Sequence, residues 1–130
     1  MTDRPNLPIT IVLVEDDEDI ARLIGFHLKR AGFGTLWFRS ATGVIAEAEG
    51  KQPALFLLDL MLPGVDGFHL CRSIRKHSLL RTLPIIILTA RTGQGDRKLA
   101  FESGADDYVT KPFSPADLIA RVRTLCERQC

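Results

Sequence analysis

A chain of 130 residues is the size of one domain and can bury a single apolar core without staples. Its 45% hydrophobic and 25% charged residues are ordinary for a globular protein, and a net charge of +1 leaves no footprint for nucleic acid or membrane. No segment reaches the roughly 18 apolar residues of a membrane span, and three widely spaced cysteines, Cys71, Cys126 and Cys130, suit neither a disulfide framework nor a zinc site. Reduced thiols in a cytoplasmic protein are the simplest reading.

The opening "MTDRPNLP" (1–8) is polar, carries two prolines and reads as a flexible tail, not a signal peptide. Short apolar runs then alternate with amphipathic stretches. "ITIVLV" (9–14) is the first run, and Ile20, Leu23, Ile24, His27, Leu28 and Ala31 follow at helical spacing until Gly32. "GTLWF" (34–38) precedes a helix marked by Val44, Ile45 and Ala48, and "ALFLLD" (54–59) one marked by Phe68, Leu70, Cys71 and Ile74. Arg72, Arg75 and Lys76 on that third helix read as a solvated face. "PIIILT" (84–89) leads to a helix around Leu99, Ala100 and Phe101, ended by Gly104. "DYVT" (107–110) leads to the last, with Leu118, Ile119, Val122 and Leu125, opened by Ser114 as cap and Pro115 in the first turn. Five βα units predict a parallel sheet with helices on both faces and right-handed crossovers. Ligands of such sheets bind outside the carboxyl ends of the strands.

Those ends collect the reactive groups. The first run ends in Glu15 and Asp16, the third in Asp59 and the fourth in Thr89, and the fifth is followed at once by Lys111. Three carboxylates at one edge need a counter-charge. Mg²⁺ supplies it: it prefers oxygen ligands, keeps several waters and works beside phosphate. A lysine and a hydroxyl next to it make a site for a phosphoryl group, and one carboxylate there can be metal ligand and nucleophile at once. Each residue alone has an ordinary explanation: acids suit a helix N-terminus, and a lone Asp caps a turn. Their joint appearance at successive strand ends is what points to a site. Asp17, Glu18 and Asp19 read as a cap and first-turn acids of the first helix. His27 reads as a packed or boundary side chain, and no catalytic role falls to His27, His69 or His77.

The motifs "VLVEDDED", "LLDLMLPGVDGF", "PIIILTA" and "GADDYVTKPFSP" together resemble the receiver domain of two-component response regulators, from Ile9 to about Arg128. The separations of 30 residues from Asp59 to Thr89 and 22 from Thr89 to Lys111 fit that family. The resemblance implies a flavodoxin-like (βα)5 three-layer sandwich with strand order 2-1-3-4-5, a receiver domain over 9–128 and no output domain in this chain. It makes Asp59 the acceptor of a phosphoryl group from a sensor histidine kinase or phosphotransfer protein. Mg²⁺ is then held by Asp16, by Asp59, by Glu15 through water and by the backbone carbonyl of Met61. Thr89 and Tyr108 become the switch pair, Tyr108 turning inward after Thr89 moves. Lys111 pairs with the phosphoryl group, and the Lys111–Pro112 bond is cis. Ala90 keeps the approach to Asp59 open, while Met61 and Arg91 shield the acyl phosphate from water. Such a protein is no enzyme beyond its own phosphorylation and dephosphorylation, is cytoplasmic, and has no contact with membrane or directly with nucleic acid.

The stretch from Leu88 to Arg123 is similar to receivers that carry winged-helix DNA-binding domains. That likeness implies control of transcription and a homodimer, when phosphorylated, through Arg97, Phe101, Asp106, Asp107, Asp117, Ile119, Arg121 and Arg128. Lys98 and Gln94 depart from the pattern, and a solvated mixed-charge surface is the plainer account of these residues. A stand-alone receiver acting by protein contact is the alternative. A Mg²⁺-dependent phosphohydrolase fits less well, because Leu60 and Met61 follow Asp59 where a second Asp is needed. A nucleotide-binding fold would need a glycine-rich turn where the acids stand. A degenerate receiver would not keep Glu15, Asp16, Asp59, Thr89 and Lys111 together.

Overall fold

The structure, a computed structural model, describes residues 9–62, 64 and 66–127. The 1–8 tail, Arg128 and Cys130 lie outside the described residues. The elements are β1 (Ile9–Val14), α1 (Glu18–Arg30), β2 (Phe33–Phe38), α2 (Val44–Lys51), β3 (Leu55–Leu58), α3 (Gly67–Lys76), β4 (Ile85–Thr89), α4 (Gln94–Glu102), β5 (Asp107–Thr110) and α5 (Pro115–Glu127).

The strands form one parallel sheet in the order β2-β1-β3-β4-β5, the order expected. Successive side chains of a strand point to opposite faces, and both faces here are apolar. Val12, Val14, Phe56, Leu58, Ile85 and Ile87 pack one way, against Val44, Ala48, Cys71, Ile74 and Ala100 of α2, α3 and α4. Ile11, Leu13, Leu55, Leu57, Ile86 and Leu88 pack the other way, against Ile24, Leu28, Leu118 and Val122 of α1 and α5. The continuous apolar runs of β1, β3 and β4 follow from this double burial. No helix of the described residues is long and apolar enough to cross a membrane.

Local chemistry sets the ends of the helices. Asp17 caps α1, its Oδ1 accepting from the N–H groups of Asp19 at 2.9 Å and Ile20 at 3.1 Å. Glu18, in the first turn, pairs with Arg22 and Arg39. Ser114 Oγ accepts from Asp117 N–H at 3.3 Å ahead of α5. Gly32 and Gly104 end the preceding helices with φ of +95° and +111°, a region that side chains with a Cβ rarely adopt. Burial pushes the Cys71 thiol up to about 11.

Arg75 departs from the expected solvated face. Its Nε donates to Gly104 O at 2.9 Å, Nη1 to Arg81 O and Leu83 O at 2.9 and 2.6 Å, and Nη2 to Asp106 Oδ2 at 2.8 Å. The loops before β4 and β5 converge on the end of α3, and their carbonyls would otherwise lack donors.

Candidate functional site

Strand register brings the reactive groups to one edge. Val14 lies opposite Leu58 in the β1–β3 pair, so Glu15 and Asp59 leave the sheet side by side. The Asp59 N–H donates to Val14 O at 3.0 Å, and the Glu15 N–H to Phe38 O at 3.0 Å. On the other side Thr89 lies opposite Thr110, and the Lys111 N–H donates to Thr89 O at 2.8 Å. Lys111 precedes a cis Pro112.

Lys111 Nζ stands between two carboxylates. It donates to Asp59 Oδ2 at 2.9 Å and lies 2.8 Å from Glu15 Oε1. Buried Glu15 Oε1 meets that ammonium as an ion pair and has no other hydrogen-bonding partner among the described residues. The other oxygens are occupied: Asp59 Oδ1 by the Met61 N–H at 3.0 Å, Glu15 Oε2 by the Asp17 N–H at 3.1 Å. The side chains of Glu15, Asp59 and Lys111 are 1%, 5% and 15% exposed. Burial raises the Glu15 carboxyl above its usual range, outweighing the neighbouring ammonium. Burial also works against the charge on Lys111, but the two carboxylates more than offset it and hold the ammonium above its ordinary value.

Asp16 is the exposed member. One oxygen each from Glu15, Asp16 and Asp59 lies within 4.8 Å of the others, a donor set of hard oxygens. The undersatisfied Glu15 oxygen and the surplus of carboxylates over ammonium both suit a divalent cation with retained waters. The residues therefore fit Mg²⁺.

Thr89 is fully buried, its Oγ1 accepting from the Arg91 N–H at 3.2 Å. Tyr108 is also inside, its hydroxyl donating to Arg91 O at 2.6 Å, and burial raises its phenol above the usual value. Arg97 covers the Tyr108 ring at 5.4 Å and the Phe101 ring at 5.7 Å. Thr89 and Tyr108 thus meet through one residue, Arg91, whose own guanidinium pairs with Asp96 at 2.7 Å. Met61 and Ala90 are exposed, Met61 at 57%.

The residues expected on the dimer face do not all stand free. Arg121 reaches both Asp107 oxygens at 2.8 Å and Asp117 Oδ2 at 2.9 Å within the chain. Asp106 accepts from Arg75 and from the Ile85 N–H at 2.8 Å. Ile119 packs against the α1–α5 core, whereas Phe101 is 42% exposed, as is its neighbour Leu99. Of the histidines, His27 meets Phe26 edge to face and His77 Nε2 lies 2.7 Å from Glu49.

Two contributors escaped the sequence reading. Gly67 opens α3 with its Cα against the strand end: a Cβ there would sit 2.5 Å from Asp59 O and 2.8 Å from Leu60 Cα. The glycine in "VDGF" was a visible signal for such a close approach. Trp37 Nε1 donates to Glu15 O at 2.8 Å, a contact across 22 residues that no local pattern announces.

Comparison with known proteins bears on this arrangement. The model of the response regulator receiver domain matches residues 11–123. Transcriptional regulatory protein GltR of Pseudomonas aeruginosa is 44% identical over 92% of this chain and 49% of its own length. CreB of Escherichia coli, also a transcriptional regulatory protein, is 44% identical over 92% of this chain and 51% of its own. The chain thus spans about half the length of these curated relatives. Among solved structures, the BeF3-activated N-terminal receiver domain of Klebsiella pneumoniae RstA is 35% identical, with a TM-score of 0.84 over 90% of this chain and 97% of that one. The receiver domain of a Pseudomonas aeruginosa sensor histidine kinase, with a magnesium ion coordinated in its active site cleft, is 31% identical. Its TM-score is 0.85 over 93% of this chain and 99% of that one.

Proposed function

The chain belongs to the response regulator receiver domain family, and on that premise we propose that Asp59 is its phosphoacceptor in a phosphorylation-dependent switch. One observation carries the reading: Lys111 bridges the buried carboxylates of Asp59 and Glu15, with Asp16 at the same strand edge. An Asp59 oxygen attacks the phosphorus of a phosphohistidine on a sensor kinase or phosphotransfer protein. A P–O bond forms as the P–N bond breaks, and the departing imidazole nitrogen keeps the electron pair. Lys111, already aimed at Asp59, moves onto the phosphoryl oxygens, and the hydroxyl of Thr89, at the end of the neighbouring strand, would be a second donor. Glu15, Asp16, Asp59 and the Met61 carbonyl would hold Mg²⁺, which supplies positive charge for the phosphoryl oxygens when bound.

The readout follows from Arg91. If Thr89 leaves the Arg91 N–H for the phosphoryl group, the loop that also receives the Tyr108 hydroxyl is released to shift. That couples Asp59 to the surface of α4, β5 and α5, where Arg97, Phe101, Asp106, Asp107, Asp117, Ile119, Arg121 and Arg128 would serve a homodimer. Met61 and Arg91 flank the approach and would slow hydrolysis of the acyl phosphate. Both relatives are transcriptional regulatory proteins about twice as long as this chain, which supports control of transcription through an output domain; a receiver paired with a sensor kinase would work in the cytoplasm.

Incubation with Mg²⁺ and a small acyl phosphate, read by intact mass, tests the central claim. One labile phosphoryl group is expected, absent in Asp59→Ala and after chelation. An unchanged adduct on Asp59→Ala would remove Asp59 from this role. Light scattering of the beryllofluoride-bound protein tests the dimer: a monomer at high concentration argues against it.

A further inference from the structure

The only tryptophan of the chain stands outside the cluster of acids yet holds its backbone. Trp37 is the fifth residue of β2, an edge strand that contributes no acid to the site. Its indole N–H donates to Glu15 O at 2.8 Å, while the next residue, Phe38, accepts the Glu15 N–H at 3.0 Å. Both backbone polar groups of Glu15 are therefore satisfied by consecutive residues of β2. Arg39 completes the grip: its guanidinium lies 4.8 Å above the indole, and Nη2 is 2.8 Å from Glu18 Oε1 at the start of α1. Trp37, Phe38 and Arg39 thus fasten the strand to both ends of the turn that runs from Glu15 to Glu18.

The bonded carbonyl is a particular one. Glu15 O belongs to the peptide that joins Glu15 to Asp16, so the indole fixes the plane from which both acidic side chains project. Of the two, Glu15 is buried and Asp16 is exposed. A free carbonyl here could rotate with the turn and carry Asp16 away from Asp59. Packing alone does not explain the contact, because a phenyl ring would fill much of the same space without the donor.

We propose that Trp37 is a positioning residue for the cation site, holding the Glu15–Asp16 peptide in the orientation that lets the acids share one ion. This rests on the reading of Glu15, Asp16 and Asp59 as a Mg²⁺ site. The indole lies outside the β1–α1 turn, and its hydrogen bond to the turn is the one to the Glu15 carbonyl.

Calorimetric titration with MgCl₂ tests it on the wild-type chain, Trp37→Phe and Phe33→Leu. Phe33 lies at the far end of β2, opposite Ile9, and is buried away from the three acids of the site, so its variant reports the effect of weakening the strand alone. Outer positioning partners of a metal site are worth about 10-fold to 100-fold in affinity; Trp37→Phe should weaken Mg²⁺ by about tenfold, and Phe33→Leu by less than about twofold. The thermal shift produced by Mg²⁺ should shrink only in Trp37→Phe. In wild-type protein the single indole N–H resonance should move along the calorimetric saturation curve, a measurement that needs no variant. Wild-type affinity in Trp37→Phe, equal losses in both variants, or an indole resonance unmoved at saturation would each overturn the positioning role while leaving the Mg²⁺ reading intact. A wild-type chain that does not bind Mg²⁺ would remove both.

Discussion

Two places in this molecule set one cation between two carboxylates, and they differ in nearly everything else. At the strand edge Lys111 stands between Glu15 and Asp59; on the outer surface Arg121 stands between Asp107 and Asp117. The first trio is buried and leaves a Glu15 oxygen without a hydrogen bond among the described residues. The second is open to water, with side chains 38%, 23% and 52% exposed, and its guanidinium meets both oxygens of Asp107. Water screens the outer trio, so its good geometry contributes little. The inner trio has lost most of its hydration, and its two carboxylates depend on the one ammonium between them. An incomplete set of ion pairs is thus poised for a ligand only where it is buried.

The largest expected effect comes from breaking the inner trio. Lys111→Ala leaves two buried carboxylates without their ammonium and should cost about 3–5 kcal/mol in urea unfolding without divalent ions. Added Mg²⁺ should restore part of that loss, and no restoration would show that the acids do not share a cation. Arg75→Ala tests a cation between these extremes, half-buried and bound to three carbonyls and Asp106. We expect a loss of about 2 kcal/mol by the same measurement, as for several partly buried hydrogen bonds. A loss below about 0.5 kcal/mol would return Arg75 to the class of surface charges.

Glu15→Gln runs the other way. Burial disfavours the ionised Glu15, so the neutral variant should resist urea slightly better than the wild-type chain without Mg²⁺. It should also lose most of the stabilisation that Mg²⁺ gives the wild-type chain. The smallest effect belongs to the outer trio: Arg121→Ala should change monomer stability by less than about 0.5 kcal/mol. If a phosphorylated dimer forms through this surface, its dissociation constant is the quantity that Arg121→Ala should move.

Much of the fold was legible because it rests on local patterns. The runs at 9–14, 54–59 and 84–89 are apolar at every strand position since both faces of β1, β3 and β4 are covered. Gly32, Gly104, Asp17 and Ser114 mark helix ends through chemistry that acts within a few residues. The gathering of Glu15, Asp16, Asp59 and Lys111 was legible for a related reason: parallel strands of similar length end at one edge. Arg75 was misread. Its spacing with Arg72 and Lys76 matches an exposed helix face, and only the approach of Gly104, Arg81 and Leu83 makes it an internal donor.

The amino-acid order by itself determined that this is a five-unit βα protein with three acids, a hydroxyl and a lysine at its strand ends. Period, caps and glycines are short-range properties, and a parallel sheet converts them into a site. Tertiary structure alone decided which of two adjacent acids is buried, that Glu15 keeps an oxygen without a hydrogen bond, and that Trp37 grips the peptide between Glu15 and Asp16. Those outcomes depend on distances between segments tens of residues apart, fixed only when β2 pairs with β1 and β5 carries Lys111 to Asp59.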